Sequence, residues 1–238
     1  LMERAAKAFI EWFIKNSNNS SSFKIFCGKG NNGGDGLAVG RILIKNNIKT
    51  TFYIAETGSA GSGDFNINLE RLKELSAEIH FLESDVSFPE IKKEEYIIDA
   101  LFGTGLNKKP SGIYKKLILH LNNSGAKIIS IDVTSGLFTD KNSKANTVIQ
   151  AFYTLSFQQL KLSFLLPENE PYFGKIVVLE IGLSRLFYSN ENAAFELIDK
   201  NLIEKIYLPR KPFANKGDYG YACMIGGSYG MMGAAVIS

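Results

Sequence analysis

Residues 21–44 read SSFKIFCGKGNNGGDGLAVGRILI, and the fold turns on how this stretch is parsed. Residues 21–27 are a short, largely apolar run that ends at a glycine, the pattern of a buried strand. Residues 28–36, GKGNNGGDG, are predicted as a glycine-rich turn. Leu37, Gly40 and Ile44 then recur at the helical period. Strand, glycine turn and helix in this order open a βαβ unit, whose two strands lie parallel.

The flanking sequence repeats the alternation. Ala5, Phe9, Trp12 and Phe13 predict a helix before the strand. Residues 51–55 predict a second strand, followed by a helix carrying Phe65, Leu69 and Leu72. Residues 79–82 and 96–100 predict the third and fourth strands, and Ile113, Leu117 and Leu121 mark the next helix. Residues 127–132 predict a fifth strand, and residues 147–157 and 175–181 further ones. Strands alternating with helices give a parallel sheet in an α/β sandwich. Three polar, glycine-bearing loops (28–36, 100–112 and 133–137) then follow strand carboxyl ends, the edge at which such sheets bind ligands. Residues 184–212 shift in composition and predict an exit from the first core with a short connecting helix. Residues 213–238 predict a strand, a glycine turn and a helix start, the beginning of a second α/β domain.

Composition narrows the function classes. With 45% hydrophobic and 21% charged residues over 238 positions, the chain buries an ordinary core and is neither a disordered tail nor a disulfide scaffold. The net charge of +3 is not concentrated; the nearest approach to a basic cluster, Lys45 to Lys49, holds two lysines. Nucleic acid is therefore not an expected partner. Cys27 and Cys223 form no C-x-x-C pair, and a reducing, cytoplasmic setting is expected. His80 and His120 fall in unrelated segments, which excludes zinc-like spacing. No apolar run approaches about 18 residues, so no membrane span is predicted. The chain opens on Leu1 and stops within the apolar AAVIS, the look of a piece of a longer protein.

Gly28, Gly30 and Gly33 match the dinucleotide fingerprint G-x-G-x-x-G, with Glu56 ending the next strand where a ribose-binding carboxylate would stand. This is the pattern of an NAD-dependent dehydrogenase, and equally of a tight turn that needs glycine. Asn31, Asn32 and Asp35 depart from it, because a plain pyrophosphate turn needs neither two amides nor an acid. They suggest an oxygen-rich site for a cation or a sugar, although Asp35 by itself reads as a helix N-cap. Asp99 and Asp132 end neighbouring strands; each alone reads as a turn residue. Together with Asn32 and Ser135 they can ligate a hard cation and leave one acid free for proton transfer. Gly103 to Lys109, GTGLNKK, is a second glycine turn whose N–H groups and lysines can hold phosphates, or is a solvated loop. Lys161, in an apolar stretch, is either a desolvated active-site amine or a snorkelling strand lysine. GGSYG (226–230) matches the hydrolase elbow but has no downstream histidine, and is rejected.

GKGNNGGDGLAVGRIL, DALFGTGL, SIDVTSGLF and the stretch LSFQQLKLSFLLPENEPYFGKIVVLEIGLS resemble, in order and spacing, the YjeF N-terminal domain, the NAD(P)H-hydrate epimerase family. The tail NKGDYGYACMIGGSYGMMGAA resembles the start of an ADP- or ATP-dependent NAD(P)H-hydrate dehydratase domain. The resemblance implies a Rossmann-like three-layer α/β/α sandwich with a mostly parallel sheet over residues 1–184. A linker over 185–212 and the start of a ribokinase-like α/β domain over 213–238 would follow. The implied activity interconverts the R and S epimers of hydrated NADH and NADPH, so that an S-specific dehydratase elsewhere in a bifunctional repair enzyme completes repair. Asn31, Asn32, Gly33, Gly34 and Asp35 would line the substrate. Gly103, Thr104, Gly105, Leu106, Asn107, Lys108 and Lys109 would hold its pyrophosphate. Asn32, Asp99 and Ser135 would bind one potassium ion, and ADP or ATP would serve only the dehydratase half. Asp132 would face the hydrated ring and transfer the proton through a carboxyl whose pKa burial raises, with Lys161 in an electrostatic part. Three places depart from the family pattern: Thr134 replaces a proline, the residues QQL (158–160) before Lys161 lack an expected proline, and Phe152 replaces an aspartate. The alternatives are a nucleotide-binding module without catalysis and the dehydrogenase. The apolar face of the first helix (Phe9, Trp12, Phe13) further predicts a homo-oligomer.

Overall fold

The computed structural model describes residues 1–16, 22–83, 87–184 and 195–237. Seven parallel strands form one sheet in the order β3-β2-β1-β4-β5-β6-β7. These are β1 (Phe23–Cys27), β2 (Thr50–Ala55), β3 (Glu78–Leu82), β4 (Tyr96–Ala100), β5 (Lys127–Ile131), β6 (Tyr153–Phe157) and β7 (Lys175–Leu179). The order runs outward from β1 in one direction and from β4 in the other, so the topological switch point falls between these two central strands.

Side chains alternate along the strands and thereby sort the helices into layers. Ile25, Cys27, Ile98, Ala100, Ile129 and Ile131 point to one face. There they meet Phe9 and Phe13 of α1 (Met2–Asn16), Leu37 and Leu43 of α2 (Asn31–Lys45), and Phe65 and Leu72 of α3 (Gly63–Glu74). Phe26, Ile97 and Ile128 point the other way, against Ile113, Leu117 and Leu121 of α4 (Gly112–Asn123). The result is the expected three-layer α/β/α sandwich. The apolar face of α1 is buried inside this unit, so the case for an oligomer built on that face lapses.

The glycines of α2 let it lie close to the sheet. A Cβ on Gly36 would stand 2.5 Å from the Ala100 Cβ and 3.0 Å from the Cys27 Sγ. The expectation of a turn through residue 36 is corrected here. The turn ends at Gly30, the extended N-cap, and Asn31 to Gly36 already belong to α2. Asp35 therefore lies inside the helix and caps nothing.

Residues 147–152 are not strand. Their polar backbone groups find other partners: Asn122 donates to the Val148 carbonyl and accepts from the Gln150 N–H, both at 2.8–2.9 Å, and Ile149 N–H donates to Ser135 O. At the amino ends of the strands, away from the binding edge, aromatic rings adjoin one another. Phe13 packs edge-on against Phe23 and Tyr96, the Lys127 ammonium lies over both Tyr96 and Phe152, and Trp12 meets Tyr153 edge-on at 4.8 Å. Phe152 takes part in this cluster, which gives a physical reason for an aromatic ring at that position.

The chain divides into units at residues 187 and 188. In the second unit a helix runs over Lys200–Ile206, as expected of the connecting segment, and another over Gly233–Ile237. The strand expected after residue 220 is not formed. Residues 221–225 are exposed, and the described residues of this unit form no strand beside them, so a lone strand there would leave its backbone groups without partners.

Candidate functional site

The carboxyl ends of β1, β4, β5 and β6 bring the polar residues of the sequence motifs together. Asp99, fully buried near the end of β4, is opposite Ser130 of β5 in register. Its Oδ2 accepts from Ser130 Oγ at 2.7 Å and from the Ser135 N–H at 2.9 Å, and its Oδ1 accepts from the Leu101 N–H at 3.3 Å. Burial pushes the Asp99 pKa up, and these hydrogen bonds oppose the rise.

One main-chain group joins the remaining expected cation ligands. The Phe102 N–H donates to Ser135 Oγ at 2.9 Å, and the Phe102 carbonyl accepts from Asn32 Nδ2 at 2.7 Å. Asn32, Asp99 and Ser135 thus converge. Gly103 permits the approach, because a Cβ there would stand 3.1 Å from the Asn32 Cβ and 3.4 Å from its Oδ1. The Asn32 Oδ1 is buried and has no hydrogen-bond partner among the described residues. A buried, unpaired amide oxygen costs about 1–3 kcal/mol, and a cation is one means of satisfying it. Among the described residues no three His, Cys, Asp or Glu side chains gather as metal ligands. The donors here are an amide, a hydroxyl, a carbonyl and one carboxylate, a set suited to a hard cation.

Asp132 directly follows β5 and adopts φ 62, a left-handed conformation rare outside glycine. Its Oδ1 accepts from the Phe157 N–H at 3.0 Å and from Lys161 Nζ at 2.7 Å. Its Oδ2 accepts no hydrogen bond among the described residues, and the side chain is 16% exposed. Lys161 is therefore not a snorkelling strand lysine. It stands just before a 3₁₀ turn (Leu162–Leu165), and its ammonium also donates to the carbonyls of Phe157 and Gln159 at 2.9 and 3.2 Å. Thr134 accounts for its departure from the family pattern. It is fully buried and donates to Thr154 Oγ1 at 2.9 Å, while Thr154 donates to the Phe173 carbonyl.

Asp35 is a second carboxyl at this edge whose ionisation the fold displaces upward. Burial raises its pKa from 3.8 to about 7, and the nearby Asp132 and Asp64 carboxylates add to the rise. It makes no hydrogen bond or ion pair among the described residues. Asn31 is exposed at the start of α2, whereas Gly33 and Gly34 are buried in its first turn. Glu56, the expected ribose ligand, is instead engaged by Lys29, whose hydrogen bond lowers its pKa; the Gly58 N–H assists at 2.9 Å.

The loop after β4 lines a separate hollow of about 340 Å³. Gly103, Gly105, Leu106, Asn107, Lys108 and Lys109 line it, floored by Phe102 and Tyr114, whose rings lie 4.5 Å apart. Thr104 is exposed and does not line it. Sequence reasoning missed Phe102, which contributes through its backbone. It also missed Ser130, which period-two alternation places on the same sheet face as Asp99.

Comparison with known proteins agrees with this architecture. The crystal structure of yeast ynu0, YNL200c, superposes with a TM-score of 0.65 at 21% identity, over 84% of this chain and 86% of that one, which is a likeness of fold. A protein of Anaerococcus prevotii named NAD(P)H-hydrate epimerase is 36% identical over 77% of this chain and 84% of its own length. One of Coxiella burnetii named bifunctional NAD(P)H-hydrate repair enzyme Nnr is 31% identical over 98% of this chain. The chain spans about half the length of such bifunctional relatives, 47% in that case. The family model described as YjeF-related protein N-terminus matches residues 1–163. With its parallel sheet, its Asn32–Asp99–Ser135 convergence and these relatives, the chain belongs to the YjeF N-terminal family.

Proposed function

We propose that this chain interconverts the R and S epimers of hydrated NADH and NADPH at C6 of the nicotinamide ring. Within a longer protein, it would act beside a dehydratase that uses ADP or ATP. The relatives named epimerase support the activity. The observation that carries the site assignment is the meeting of Asn32 and Ser135 on Phe102, with Asp99 bonded to the Ser135 N–H, at the sheet edge that also carries Asp132.

In this reading Asn32, Asp99 and Ser135 hold a potassium ion, which supplies fixed positive charge at the edge. Asn31 to Asp35 line the nicotinamide end, and the Gly103–Lys109 loop holds the pyrophosphate through its N–H groups and lysines. The ring nitrogen lone pair expels the C6 hydroxyl as a proton reaches it, giving water and an iminium. Water returns to either face and gives up a proton, so the reaction balances without a redox partner. Asp132 is the proposed proton-transfer group, its free Oδ2 available while Lys161 holds Oδ1. Asp35, whose pKa burial raises to about 7, is the second carboxyl nearby. The binding module and the dehydrogenase are weaker readings, the latter because the carboxylate of Glu56 is taken by Lys29. The unpaired cysteines fit a reducing, cytoplasmic setting, and no described helix is long and apolar enough to cross a membrane.

The test is to incubate the protein with pure R-hydrate and follow both epimers by HPLC. The S epimer should accumulate with the native protein, and Asp132→Asn should lose at least about a hundredfold in kcat, the scale of a lost general acid–base group. Epimerisation by Asp132→Asn at the native rate removes the assignment.

A further inference from the structure

Two left-handed non-glycine residues stand side by side at this edge. Asp132 follows β5 at φ 62, and Gln158 follows β6 at φ 64. An L-residue keeps such a conformation only where its surroundings hold it there, and such residues cluster at functional sites.

The restraints on Gln158 are explicit. Its N–H donates to the Leu179 carbonyl at 2.7 Å. Its side-chain Oε1 accepts from the N–H groups of Ile181 and Leu183 at 3.1 and 3.4 Å. Between these two residues, the Gly182 carbonyl accepts from Arg4 Nη1 at 2.8 Å. The strap 181–183, which follows β7, is thereby held by α1 on one side and by the Gln158 amide on the other.

The other side of Gln158 is the catalytic pair of the proposed function. Its neighbours, Phe157 and Gln159, supply the carbonyls that hold Lys161 Nζ, and the Phe157 N–H donates to Asp132. The turn 157–161 wraps the ammonium, and Gln158 is where that turn is fastened to the strap. We infer that Gln158 is a positioning residue for the Asp132–Lys161 pair, fixing the turn that carries Lys161 through its amide bonds to the strap 181–183. The inference rests on the proposed roles of Asp132 and Lys161.

The test compares Gln158→Gly, Gln158→Glu and Arg4→Ala in the full chain, with R-hydrate as substrate. Glycine keeps the left-handed turn and removes only the amide, so the fold is spared; melting curves check this. Gln158→Gly should lower kcat about tenfold with KM unchanged within about twofold, as expected of a displaced rather than deleted catalytic group. Gln158→Glu retains an acceptor for Ile181 and Leu183 and should recover most of that loss. Arg4→Ala, which frees the other side of the strap, should lower kcat in the same direction by less. Full kcat in Gln158→Gly, or a loss expressed only in KM, overturns the inference. Asp132→Asn separates the two levels: if it turns over normally the underlying reading fails. If it is inactive while Gln158→Gly is fully active, only the inference fails.

Discussion

Replacing Asp35 with asparagine isolates a titratable group that the fold holds far from its ordinary range. Unfolded, Asp35 ionises near pH 3.8; folded, it keeps its proton to about pH 7, chiefly because of burial. Between these values the folded state binds a proton that the unfolded state has released, so stability falls as pH rises. A pKa moved from 3.8 to about 7 corresponds in full to about 4 kcal/mol, and partial solvent contact brings the expected effect to about 2–4 kcal/mol. The amide in Asp35→Asn cannot ionise. The variant should match the native protein at pH 4, gain steadily through the window and reach a plateau just above pH 7. Urea denaturation of both proteins at half-unit intervals from pH 4 to 8 measures the difference directly. Because the Asp132 carboxylate is the second cause of the shift, the gain should shrink in an Asp132→Asn background. A difference between Asp35→Asn and the native protein that stays constant from pH 4 to 8 would refute the reasoning.

Two further outcomes follow from the geometry. Potassium chloride should raise the melting temperature above that in choline chloride at equal ionic strength, by up to about 2.7 kcal/mol in stability at a hundredfold excess over Kd. Asn32→Ala should abolish that difference, and a persisting potassium effect would place the ion elsewhere. Gly36→Ala should destabilise by about 1–3 kcal/mol in chemical denaturation, since its methyl would meet the Ala100 Cβ at 2.5 Å in a packed layer.

The parallel sheet was legible because each strand is a short apolar run and each helix carries a 3.6-residue apolar stripe. The convergence at the site was legible for a related reason. Asn32 opens α2, Asp99 lies near the end of β4 and Ser135 follows β5, and parallel strands put all their carboxyl ends on one edge. What escaped depended on partners that the local sequence does not contain. Asn31 to Gly36 read as a turn because glycine disfavours helix, yet close approach to Ala100 and Cys27 makes glycine fit there. Residues 147–152 look like strand, but the side chain of Asn122 takes backbone bonds that a neighbouring strand would have taken. The two readings of Lys161 are separated by the bond of its ammonium to Asp132, 29 residues away in sequence, which the apolar stretch around the lysine does not signal.

The aromatic cluster at the amino ends of the strands has a practical consequence. Trp12 is the chain's single tryptophan, and it abuts Tyr153, the first residue of β6. The chemistry lies at the other end of that strand, roughly 16 Å away for five extended residues. Indole fluorescence from this protein is therefore an optical gauge of whether the sandwich is intact, largely blind to whether a nucleotide is seated, and denaturation can be followed with or without ligand in one cuvette.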